Sequence, residues 1–164
     1  MPPPAEPDPR VGSVLRALGI AHEVLPCDPE VADTAAFCAR YGVPPERSLN
    51  TIVVASKREP RSYAACLVQA TARLDVNHRV RGLMGVSRLS FASSDETTQL
   101  TGMLVGGVTP FGLPPEWPIY LDEPALALDW VIVGGGNRSS KLRLDPRELL
   151  RIPGAQAVSG LTLA

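Results

Sequence analysis

Seventeen prolines and fourteen glycines punctuate the 164 residues of this chain, about one in every five positions. Proline removes a backbone donor and glycine lifts a steric constraint, so each tends to end or bend a regular element. They are spread along the chain as punctuation and do not cluster into a linker outside residues 2–9. The punctuation also marks boundaries. Asp8-Pro9, Asp28-Pro29 and Asp145-Pro146 read as helix starts: Asp caps free first-turn amides, and Pro occupies a position whose donor has no partner. After the first, Val11, Val14, Leu15 and Leu18 recur at helical spacing and Gly19 supplies a left-handed stop. A second helix is expected within residues 29–41, ending at Gly42. A third starts at Asp75, with Val76, Val80 and Leu83 on one face and Gly85 as its stop. Ser93 and Glu96 form a capping-box pattern for a short fourth helix ending near Gly102. Prolines crowd only in residues 2–9, so residues 1–9 are expected to be a flexible leader and residues 10–164 the folded domain.

Between these signals lie strand-like runs. Residues 49–55 and 62–70 flank a polar turn and read as a hairpin. Residues 20–24, 88–92, 103–106, 117–121, 129–133 and 141–144 are further strand candidates. Helices and strands mix without strict alternation, so the expectation is a single α/β domain with one curved mixed β-sheet flanked by helices. The length suits one domain, able to bury about two-thirds of the surface its unfolded chain exposes. At 45% apolar and 20% charged, the composition excludes disorder and fibrous classes. No apolar run reaches the length of a membrane span and the N-terminus lacks a signal peptide pattern, which points to a soluble, cytoplasmic protein without membrane partners.

Cys27, Cys38 and Cys66 have no paired spacing, and His22 and His78 stand far apart. The cysteines read as small buried hydrophobes, and no metal site or cofactor is expected. The net charge of −1 hides an asymmetry: residues 40–90 hold nine basic side chains against three acidic ones, +6, which leaves −7 for the rest. That pattern fits either a face that attracts a polyanion or a solvated face shared by unrelated elements.

Familiar catalytic signatures are absent: no GxSxG, no HExxH and no phosphate loop with its lysine. Gly134-Gly135-Gly136 follows an apolar strand but leads into another strand, so a hairpin turn is preferred over a phosphate cradle. A nucleotide-sensor reading would rest on this triplet alone. The most informative stretch is residues 101–112. Gly106 and Gly107 carry no side chain and Pro110 stiffens the exit, so the loop is either an ordinary surface turn or a place where a ligand meets exposed peptide groups.

Residues 101–112, with the following Pro118-Ile119-Tyr120-Leu121-Asp122-Glu123, resemble the core signature of the YbaK and prolyl-tRNA-synthetase-associated editing domains. Gly106 to Pro110 matches the family's GxxxP loop. Residues 48–54 lie where the family has its "fKTLvv" strand, Leu74-Asp75-Val76 fits the start of the next helix, and residues 134–141 with 145–150 fit the family's end. The resemblance spans residues 10–160. It implies a free-standing, trans-acting aminoacyl-tRNA deacylase that hydrolyses the ester of mischarged tRNA, with a synthetase or elongation factor as a further partner. It also implies a substrate-assisted water attack that needs no protein nucleophile, beside a loop formed by Gly106, Gly107, Val108, Thr109 and Pro110. The family's lysine falls at Asn50. Three outcomes are open: Asn50 acts as a neutral positioner, Arg138 or Lys141 supplies the missing charge, or activity is lost and the chain is a silent tRNA- or synthetase-binding relative. Retained activity with altered substrate choice is the preferred reading. Asp122 either binds the α-amine of the aminoacyl group or caps the segment after it, and Ser139 is a further candidate for the pocket rim.

Overall fold

The computed structural model describes residues 4–163, so residues 1–3 of the expected leader and the terminal Ala164 lie outside the described residues. The signals for short elements hold. Helix α1 (Pro9–Leu18) starts where the Asp8 carboxylate accepts from the Arg10 amide at 2.9 Å, and it ends at Gly19, whose φ of 65° is the left-handed stop. Helix α2 (Thr34–Tyr41) ends at Gly42 and follows a separate 3-10 turn, Pro29–Val31, so the region expected to hold one helix is split in two. The segment after Asp75 is a turn of wide π-type helix, Val76–Val80, running into α3 (Arg81–Met84). Helix α4 (Ser94–Thr101) has the Ser93 hydroxyl accepting from the Glu96 amide, but the Glu96 carboxylate turns away to Arg61, which leaves the capping box half made. Asp145-Pro146 opens a 3-10 turn, Pro146–Arg151, and not a full helix.

The strands form a mixed sheet divided by hydrogen bonding into two. β1 (Glu23–Pro26), β7 (Ser140–Leu144) and β6 (Val131–Gly134) make a three-stranded antiparallel sheet in the order β1-β7-β6. β2 (Leu49–Ser56), β3 (Tyr63–Gln69), β4 (Leu89–Phe91), β5 (Ile119–Asp122) and β8 (Ala155–Val158) form the larger sheet, ordered β4-β2-β3-β5-β8. The expected hairpin is there, with Asn50 opposite Val68 and Val54 opposite Ala64; β4 joins β2 antiparallel, and β5 and β8 add in parallel beyond β3. A single parallel bridge, Ser48 to Ile132, links the sheets. Residues 103–106, expected as a strand, are irregular and turn: Gly106 and the following Gly107 bend the chain before any ladder forms.

β3 explains why the hairpin reads as an unbroken apolar run. Its Ala65 and Leu67 enter a core between the sheets and α1, while Ala64, Cys66 and Val68 enter a second core under the 76–84 segment. A strand buried on both faces has no polar alternation to show. A third, smaller cluster packs Phe37 and Cys38 of α2 against Cys27 and Ile132. All three cysteines are buried and free, and burial pushes the Cys66 thiol up to about 12. Among the described residues no helix is long and apolar enough to cross a membrane.

Candidate active site

The gap between the two sheets opens into a cleft of about 420 Å³, where β2 leaves β4 behind and faces β6 across residues 105–108. Its walls include Asn50, Thr51 and Ile52 of β2, Ile132 and Gly134 of β6, Phe91 at the end of β4, and Gly106, Val108 and Lys141. Of the residues the sequence singles out, Asn50, Gly106, Val108 and Lys141 converge here. Gly107, Thr109 and Pro110 are buried behind the loop and do not line the cleft.

Glycine is required in this loop by contact as well as by conformation. Gly106 has a φ of +87°, and a Cβ on Gly107 would overlap the backbone of Asn137. On the other side, a Cβ on Gly134 would come within 2.5 Å of the Val108 carbonyl. The Gly134-Gly135-Gly136 triplet thus lets the 106–110 loop lie directly on the β6–β7 turn, and the Gly136 amide donates to the Gly107 carbonyl at 2.7 Å. The protein's own chain fills the space that a phosphate would need. The start of α1 docks on the same turn, through Asp8 N–H to the Gly135 carbonyl at 2.8 Å and Asn137 to the Glu6 carbonyl at 3.1 Å.

Two cations clamp the loop to residues 29–33. The Arg138 guanidinium donates to the Pro29 and Val105 carbonyls, at 2.7 and 2.5 Å, and to the Asp33 carboxylate at 3.2 Å. Lys141, 5% exposed, donates to the Ala32 carbonyl at 2.7 Å and the Gly106 carbonyl at 2.5 Å, with its ammonium 5.3 Å from the Phe37 ring centroid. Burial holds this ammonium below the ordinary lysine value, and the nearby Cys27 acts in the opposite sense. The loop's carbonyls at 105, 106 and 107 are therefore all occupied. Among the described residues the amides of Gly106, Val108 and Thr109 meet no protein acceptor. Gly106 and Val108 line the cleft, so two amides without a protein acceptor lie at its wall, which suits an oxygen that gains negative charge.

Asn50 accepts from the Thr34 hydroxyl at 2.6 Å, an interaction that fixes the amide at the cleft wall and carries no charge. Next to it the Thr51 hydroxyl is buried without a hydrogen-bond partner. The "fKTLvv" pattern carries a threonine at Thr51, but its place on the cleft wall depends on the distant β6. Asp122 lies elsewhere: extending the β3–β5 register by one residue sets it beside Val68, which itself pairs with Asn50, so two strand spacings, about 10 Å, separate the two. It is 2% exposed, makes no capping bond to the 3-10 turn Glu123–Ala127, and burial pushes its carboxyl up, with Glu123 adding to the effect. Ser139 is exposed on the β6–β7 turn away from the cleft. Among the described residues no group of three or more His, Cys, Asp or Glu is placed to hold a metal.

Residues 28–152 match the family described as "Aminoacyl-tRNA editing domain". The chain belongs to that family. The editing domain is 35% identical over 78 residues to "Uncharacterized protein YwhH" of Bacillus subtilis (strain 168), an alignment that spans about half of each chain, 48% of both. It is 25% identical over 116 residues to "Putative Cys-tRNA(Pro)/Cys-tRNA(Cys) deacylase EbsC" of Enterococcus faecalis (strain ATCC 700802 / V583), covering 70% of this chain and 68% of that one. Among solved structures, hypothetical protein APE2540 superposes with a TM-score of 0.83 at 27% identity, over 94% of this chain and 99% of that one. The structure titled "a putative trans-editing enzyme for prolyl tRNA synthetase" superposes with a TM-score of 0.80 at 28% identity, over 94% and 96%. The mixed α/β domain with two sheets is thus the architecture of editing-domain structures.

Proposed function

We propose that this chain is a free-standing deacylase that hydrolyses the ester of mischarged aminoacyl-tRNA in trans. The observation that carries the reading is the convergence of Gly106 and Val108, whose amides have no protein acceptor among the described residues, with Asn50 and Lys141 on one cleft. The aminoacyl ester enters between β2 and the loop. Water adds to the ester carbonyl carbon, and the Gly106 and Val108 amides receive the oxygen as it becomes an oxyanion. The carbon–oxygen bond to the ribose then breaks, and the proton from water passes to the leaving ribose oxygen, which becomes a hydroxyl. An aminoacyl ester is already activated, so orientation and oxyanion stabilisation suffice. Asn50 serves as a neutral positioner. Lys141 uses two of its three donors on carbonyls, and the third supplies positive character to the cleft wall. Arg138 holds the loop, with four of its five N–H donors on the Pro29 and Val105 carbonyls and the Asp33 carboxylate. Asp122 and Ser139 stand outside this reading.

The names of the relatives direct the first assay to Cys-tRNA(Pro) and to other mischarged forms of tRNA(Pro). Ester loss is followed against buffer, for the wild type and for Gly107→Val. Turnover that collapses in the variant is expected; no substrate decaying faster than buffer would remove the enzymatic reading. Asn50 in place of the family's lysine favours one alternative, a catalytically silent relative that binds tRNA or a synthetase. Asn50→Lys separates the two: a large gain in turnover over an inert parent supports the silent reading, and measurable native turnover with no gain removes it.

A further inference from the structure

The cations of the +6 segment part into two groups once folded. Arg40, Arg47 and Arg61 are held in ion pairs with Asp28, Asp129 and Glu96. Among the described residues, Lys57, Arg58, Arg73, Arg79, Arg81 and Arg88 are in no ion pair, and all six are exposed. Of these, Lys57, Arg58, Arg81 and Arg88 gather at one end of the larger sheet. The Lys57 amide donates to the Arg88 carbonyl at 3.2 Å, Arg81 reaches the Ser87 carbonyl, and Arg58 and Arg88 border one surface hollow with Glu59, the one acidic residue there.

This patch lies on the same edge as the cleft. β4 connects them: Phe91, 59% exposed, stands at the cleft wall, and Arg88 precedes the strand's other end. Along β2, Asn50 and Ser56 are six residues apart, about 20 Å, and the patch starts at Lys57. At about 3.4 Å per phosphate along a stacked strand, that is about six nucleotides. We infer that Lys57, Arg58, Arg81 and Arg88 bind backbone phosphates of the tRNA acceptor stem, upstream of the unpaired 3′ tail whose end enters the cleft. The inference rests on the deacylase reading for its substrate. An acidic protein is the less fitting partner, because the hollow is walled by serines, proline and charged groups and lacks the buried aromatic anchors of protein interfaces.

The test uses uncharged RNA, so it does not depend on hydrolysis. Fluorescence anisotropy compares a minihelix carrying the acceptor stem and 3′ tail with an oligonucleotide of the tail alone, across a salt series. Lys57→Gln/Arg88→Gln is set against Arg16→Gln/Arg151→Gln, which removes the same charge elsewhere, and thermal unfolding confirms that both fold. The wild type should prefer the minihelix. The patch variant should lose about tenfold in minihelix affinity at low salt, with a salt slope shallower by about two, and the control should not. Equal minihelix binding by wild type and patch variant would overturn the inference, as would a patch variant that loses only binding to an acidic polypeptide. Patch-dependent minihelix binding by a protein that deacylates nothing would leave the inference standing and remove the deacylase reading.

Discussion

In the cleft, Lys141 is 5% exposed and holds the carbonyls of Ala32 and Gly106, whereas at the β2–β3 tip Lys57 and Arg88 are exposed and hold no carboxylate among the described residues. The sequence shows both as plain basic side chains. Their difference is one of solvation. A buried ammonium must replace its water with fixed acceptors, and here those acceptors belong to the two segments that form the cleft, so the charge becomes part of the scaffold. An exposed cation keeps its water and counterions and can exchange them for phosphate. Charge counting therefore locates neither; pairing does.

The strongest way to break this contrast is to remove both kinds of cation in the same manner. Lys141→Met keeps the side-chain length but leaves two carbonyls unpaired, and should cost about 2–4 kcal/mol in urea unfolding. Arg88→Met should stay within about 0.5 kcal/mol of wild type. Equal losses in the two variants would show that Lys141 is no clamp and would return it to the pool of free cations.

How far the sequence could be read follows from the same distinction between local and distant partners. Asp8-Pro9 with Gly19, the 49–69 hairpin and the 106–110 bend were legible because cap, turn and periodicity lie within a few residues of one another. The family signature made the loop's company on β2 legible too. The clamps of Arg138 and Lys141 were not, since Pro29 and Ala32 lie 109 residues away in both cases. β8 escaped notice because its Gln156 and Ala157 are exposed and it pairs with β5 at the sheet's edge. The place of Asp122 was not legible for a related reason: it is close in sequence to the loop, yet β5 carries it to the far side of β3.

Asp122 gives a second, smaller handle. If it is merely a buried carboxylate, then its raised pKa means that the folded state binds its proton more tightly than the unfolded chain, whose value is near 3.8. Stability from this group is then present below pH 3.8 and lost as pH rises through the folded-state value. Asp122→Asn should be more stable than wild type at neutral pH, with the advantage fading as the pH falls through the folded-state value and gone below about 3.8 in a denaturation series. Its apparent KM for the aminoacyl ester should not move. A KM that rises sharply would mean that the carboxylate reaches the α-amine after all and that the cleft extends past Val68.

The cleft also holds a polar group of a third kind, neither clamped nor hydrated. The Thr51 hydroxyl is buried and unpartnered. Burying a hydroxyl with no hydrogen bond destabilises a protein, so Thr51→Val, which keeps the shape, should stabilise the fold by up to about 1 kcal/mol. If the orphan serves the substrate, the same change should raise KM several-fold with kcat less affected, since a bond made in the bound ester is removed without touching the oxyanion donors. Scored together, melting temperature and KM then decide the matter: both rising identifies a polar group kept unsatisfied for a ligand, while a higher melting temperature with unchanged KM reduces Thr51 to an unsatisfied part of the wall.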